Sequence, residues 1–106
     1  MATSLEYIEI VCERLLPFGD VRYKKMFGEY MAYLNEKPIA SVCDNNVFVK
    51  IRPELAELMG NAEKGFPYEG AKLHYILDID DAELLQRLIP LLESITPLPK
   101  PRKKKI

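Results

Sequence analysis

The chain has no tryptophan, one histidine and two cysteines in 106 residues. With His74 as the only imidazole, a paired-histidine mechanism or a histidine-rich metal site is excluded. His74 beside a carboxylate remains an acid–base option, against the plainer reading of a strand residue satisfied by a neighbour. The weakest functional reading is a small enzyme or ligand-binding protein using a pocket beneath loop 61–73, around His74. Cys12 and Cys43 lie 31 residues apart, without the close pairing of zinc or redox motifs. They read as reduced core thiols. Cys43 as a nucleophile needs a base beside it, and His74 is the sole imidazole. Glycine-rich phosphate loops and a Gly-x-Ser-x-Gly elbow around Ser41 or Ser94 are missing. No apolar run approaches the roughly 18 residues of a membrane span. The opening MATSLEYIEI lacks a signal-peptide pattern. These absences predict a non-enzymatic cytoplasmic protein with no metal, cofactor or membrane contact.

What is present describes one folded domain. Composition is 48% apolar and 29% charged, which argues against disorder. The net charge of −1 hides an asymmetry. Residues 1–96 hold 10 basic and 16 acidic side chains. The last ten residues, PLPKPRKKKI, hold five cations and no acid. The chain therefore divides into a domain over 1–96 and a Pro/Lys-rich tail over 97–106, expected to be extended.

Thr3-Ser4-Leu5-Glu6 has capping-box form, with Thr3 as N-cap. Leu5, Ile8, Cys12 and Leu15 then recur at helical spacing to about Leu16. Pro17-Phe18-Gly19-Asp20 ends this helix. Val21–Phe27 alternates as a strand until Lys25-Met26, where the break suggests a bulge. Gly28-Glu29 reads as a turn. Tyr30–Leu34, Pro38–Cys43 and Val47–Ile51 read as three more strands, joined by turns at Asn35-Glu36-Lys37 and Asp44-Asn45-Asn46.

Pro53 suits the first turn of a short helix ended by Gly60. Residues 61–73 form a loop, and His74–Ile79 a fifth strand. Asp80 with Glu83 caps a long helix carrying Leu84, Leu85, Leu88, Leu91, Leu92 and Ile95. Pro90 should kink or split it near Arg87-Leu88, and Pro97 ends it. The acids Asp78, Asp80 and Asp81 read as caps rather than a cation site. The order α-β-β-β-β-α-β-α predicts a two-layer α+β domain. Its mainly antiparallel five-stranded sheet has helices on one face.

Two features suggest partners. Tyr30–Leu34 is apolar on both faces, so Met31, Tyr33 and Phe48 would share the face away from the helices. That patch predicts a protein interface, for a homodimer or another protein, unless loop 61–73 or a bent strand covers it. Lys100, Arg102, Lys103, Lys104 and Lys105 offer weak, salt-sensitive, sequence-blind contact to nucleic acid. The competing reading is a solubilising tail. Arg22, Lys24 and Lys25 extend a basic edge, or form a solvated strand face.

RYKKMFGEYMAYLNEKPIASVCDNNVFVKI resembles the opening of the TfoX/Sxy N-terminal domain, through Lys24, Met26, Phe27, Gly28 and Lys37-Pro38. FPYEGAKLHYILDID resembles that family's aromatic-Pro-Tyr loop and final strand, and PLPKPRKKK the ends of its stand-alone members. Lys24 or Lys25 stands where an arginine is common. The resemblance covers about Leu5 to Lys105. It implies an antiparallel two-layer α/β domain and a link to regulation of bacterial competence, the uptake of DNA for transformation. Longer members act as positive regulators of competence genes and carry a second, helical domain, which this chain is expected to lack. The resemblance implies no catalytic residues.

Overall fold

In the computed structural model, residues 3–26 and 29–98 are described. Helix α1 spans Leu5–Leu15 and runs into a 3-10 turn at Leu16–Phe18. Four strands follow: β1 (Val21–Met26), β2 (Glu29–Leu34), β3 (Lys37–Cys43) and β4 (Asn46–Lys50). A 3-10 turn at Pro53–Leu55 leads into α2 (Ala56–Met59). Then come the two-residue β5 (Lys64–Gly65), β6 (His74–Leu77) and α3 (Ala82–Ile95). The sheet is antiparallel in the order β1-β2-β3-β4-β6-β5. The architecture is α+β, with six strands rather than the expected five. The extra strand lies inside the predicted loop 61–73. At two residues it is too short to leave a period-two signal.

Two hairpins set the register of the sheet. Asn35 and Glu36 turn at φ 51° and 71°, and Asp44 and Asn45 at 51° and 56°. Consecutive left-handed residues make the tight turn whose twist matches paired strands. Asn35 does more than turn: its Oδ1 accepts from the Asp20 amide at 2.9 Å, and its own amide donates to the Asp20 carbonyl at 2.7 Å. Gly19 makes this approach possible, since a Cβ there would stand 2.6 Å from Asn35 Oδ1.

Cross-strand partners share a face, so the registers define two surfaces. Tyr30, Ala32 and Leu34 of β2, Val42 of β3, Val47 and Val49 of β4, and Tyr75 and Leu77 of β6 are buried beneath the helices. They pack with Ile8, Val11 and Leu15 of α1 and Leu85, Leu88, Ile89 and Leu92 of α3. At about 25 cal/mol per Å² of apolar surface, this layer is the main favourable term for folding.

Several local expectations are corrected. No register shift occurs at Lys25-Met26. The irregularity falls where Ala32 opposes Ala40 but Tyr33 opposes Pro38. Ile39 is thus an extra residue on β3, and Ile39 and Ala40 are both buried despite being consecutive. Glu29 belongs to β2 rather than to a turn. The N-cap of α1 is Ser4, whose Oγ accepts from the Tyr7 amide at 3.1 Å. Thr3 is buried instead, donating from Oγ1 to the Val42 carbonyl and accepting from the Asn45 amide. Asp81, not Asp80, caps α3 through the Leu84 amide. Asp80 pairs with Arg14 at 3.3 Å. Helix α3 runs unbroken through Pro90, whose ring faces solvent, and the packing of Leu88, Ile89 and Leu92 holds it together. Its C-cap is Thr96.

Candidate functional site

The face of the sheet away from the helices is where the predicted contact residues lie. Register places Arg22, Lys24, Met31, Tyr33, Ser41, Phe48, Lys50, Ile76 and His74 on it. Met31 and Tyr33 are half-buried side chains one pleat apart on β2, next to Lys24 and Arg22. Phe48 differs from them. It is only 5% exposed and serves as the floor of this face. Its ring has Gly65 beside it, where a Cβ would stand 3.5 Å away and 3.2 Å from Ile76. Pro67, just past β5, is buried. Loop 61–73 thus contributes to the β4–β6 side, while Met31 and Tyr33 on the β2 side keep part of their surface exposed among the described residues. Phe66 and Tyr68 of the same loop are 63% and 64% exposed.

A notch opens in this face where β3 and β4 part. Their ladder spans only Ser41–Cys43 against Asn46–Phe48, whereas β4 remains paired with β6 as far as Lys50. The gap holds a cavity of about 30 Å³, lined in part by Met31, Ser41, Lys50, Arg52, His74 and Thr96. Arg52 is one of those lining residues, and its Nε is buried and has no hydrogen-bond partner among the described residues. Sequence reading did not single out Arg52, because the signal is a missing partner rather than a motif.

His74 is no catalytic dyad partner for Cys43. Cys43 opposes Asn46 at one end of β4, and His74 opposes Lys50 at the other. Four residues of strand separate those positions, roughly 13 Å. Burial, followed by the Glu29 and Asp44 carboxylates, pushes the Cys43 thiol up to about 11. A thiol so shifted is a poor nucleophile at neutral pH. Burial and then Glu9 likewise raise Cys12. His74 Nδ1 lies 2.7 Å from the Lys72 carbonyl, which only accepts, so Nδ1 carries the proton.

The acids Asp78, Asp80 and Asp81 line a groove of about 680 Å³ between α1, α2 and the start of α3. Asp78 Oδ1 accepts from the Asp80 amide at 2.9 Å, so all three serve local structure, through a turn, an ion pair and a cap. Burial, then Asp80 and Asp78, raises Tyr7 in the same groove. No group of three or more metal-ligating side chains occurs among the described residues. No described helix is long and apolar enough to cross a membrane. The basic tail residues Lys100, Arg102, Lys103, Lys104 and Lys105 lie outside the described residues.

The model of the TfoX N-terminal domain matches residues 13–88, most of the chain and all six described strands of its sheet. The chain belongs to the TfoX N-terminal domain family. It is also similar to an uncharacterised 12.7 kDa protein in the trpE 5′ region of Spirochaeta aurantia. The two are 37% identical over 107 residues, spanning 99% of this chain and 93% of the relative. The TfoX N-terminal family is not a known enzyme family.

Proposed function

We propose that this TfoX-type domain is a non-enzymatic regulatory module that works by protein–protein contact through the open half of its sheet face. Transcriptional control of DNA uptake is the process in which we place it. The carrying observation is the pair Met31 and Tyr33, left only partly buried on a strand whose other face is fully used by the core. Strand side chains held rigidly by a sheet lose little entropy on docking, which favours such a surface as an interface. The simplest partner is a second copy. The tail cations offer a subsidiary contact to nucleic acid.

Sedimentation velocity over a wide concentration range tests the dimer, with Met31→Glu and Tyr33→Glu beside the parent chain. The expected result is a concentration-dependent dimer that both variants abolish. A monomer throughout, with capture of cellular partners unchanged by either variant, would defeat the reading. Titrating duplex DNA at low salt against the full chain and residues 1–96 tests the subsidiary contact. Only the full chain is expected to bind.

A further inference from the structure

We infer that the notch between β3 and β4 is a carboxylate-binding site, with Arg52 as its principal donor and Lys50 and His74 as flanking groups. Four observations converge on it. Arg52 Nε is buried and unpartnered among the described residues. A guanidinium cannot shed its charge, and burying one of its N–H groups unpaired is costly. Two further nitrogen-bearing side chains stand beside it: Lys50 and His74 sit directly opposite each other across β4 and β6 and line the same cavity. No carboxylate of the described residues lines it. The acid next to the lining residue Leu92, Glu93, is already engaged by Lys37 at 3.2 Å.

The missing counter-charge is not supplied by an acidic side chain elsewhere in the chain's undescribed parts. Met1, Ala2, Phe27, Gly28 and residues 99–106 include no aspartate or glutamate. The cavity of about 30 Å³ suits one or two water-sized groups, such as the two oxygens of a carboxylate. Arginine presents its N–H groups as a planar fork that a carboxylate matches with two parallel bonds. Ser41 and Thr96 add hydroxyls to the lining, although Thr96 Oγ1 already donates to the Leu92 carbonyl at 2.6 Å. The carboxylate belongs either to a small molecule or to a polypeptide, as an acidic side chain or a chain end. The site does not depend on the face being a dimer interface.

Arginine-selective NMR of the full chain tests this by following the Arg52 Nε–H signal. The probes are sodium acetate, sodium phosphate and an amidated glutamate-rich peptide, each set against sodium chloride at equal pH and ionic strength. A saturable shift with acetate, absent with chloride, is expected. Arg52→Lys keeps the charge but loses the fork, so acetate affinity, followed through backbone signals at the notch, should drop at least tenfold. If that variant fails to fold, Lys50→Gln replaces it, with a several-fold loss expected. A glutamate peptide binding at least tenfold tighter than acetate assigns the carboxylate to a polypeptide, and acetate binding alone assigns it to a small molecule. Equal shifts with chloride, tighter binding of phosphate than acetate, or undiminished affinity in the substituted chain would each overturn the assignment.

Discussion

Asn35 and Glu29 each perform several local tasks. Asn35 occupies a left-handed turn position and ties its hairpin to Asp20, just past the end of the first helical segment. Asn35→Ala removes the acceptor for the Asp20 amide and places a Cβ-bearing residue without that compensation at φ 51°. Together these should cost about 2 kcal/mol. A urea midpoint that falls with an unchanged slope would show the loss.

Glu29 Oε1 accepts from the Thr3 amide at 3.0 Å and the Asp44 amide at 3.3 Å, clasping the start of α1 to the β3–β4 turn. Burial alone would raise its carboxyl, but these bonds outweigh burial and hold it below the ordinary value. A carboxyl lowered by folding adds stability above its unfolded pKa, near 4.3, and loses it as pH falls through the folded pKa. The stability gap between the parent chain and Glu29→Gln should therefore be widest at neutral pH and shrink below about pH 4.3. Urea melts at pH 7, 5, 4 and 3 measure this gap. A gap that stayed constant would refute the clasp as its source.

Among the elements, α3 shows how packing overrides local preference. A proline inside a helix costs about 3 kcal/mol relative to alanine, through a lost hydrogen bond and a clash with the preceding turn. Pro90 nonetheless lies within an unbroken helix, because Leu85, Leu88, Ile89 and Leu92 are each no more than 3% exposed on its inner side. Pro90→Ala should stabilise the domain by about 1–3 kcal/mol, since the ring faces solvent and little packing is lost. An increase in melting temperature on calorimetry is the expected sign.

The caps argue the same point at helix starts. The local sequence pattern puts both one residue early, at Thr3 and Asp80 rather than Ser4 and Asp81, although it shows the helices themselves. In each case the displaced residue has a longer-range partner: Val42 and Asn45 for Thr3, and Arg14 for Asp80. A pattern of four adjacent letters does not reveal contacts 39 or 66 positions away.

At the scale of the whole molecule, β4 is the strand the fold closes around. Val47, Phe48 and Val49 are all buried, so its two faces serve the helical layer and the opposite side at once. Phe48→Ala should cost about 3–5 kcal/mol, as for a core aromatic. Tyr33→Ala on the open half should cost far less, because its side chain is only half-buried. Paired denaturant titrations of the two variants separate a structural residue from a surface one. Equal losses would mean that the open half is as closely packed as the β4 side.

The sequence by itself determined the α+β class, the two hairpins, the helical stripes and the family. All of these rest on local periodicity, turn chemistry or a contiguous pattern of residues. Only the tertiary structure decided the sixth strand, the burial of Phe48, the distance between Cys43 and His74, and the convergence of Lys50, Arg52 and His74 on one notch. These depend on strand order and on where paired strands diverge. The free energy that sets them comes from contacts between residues far apart in the chain.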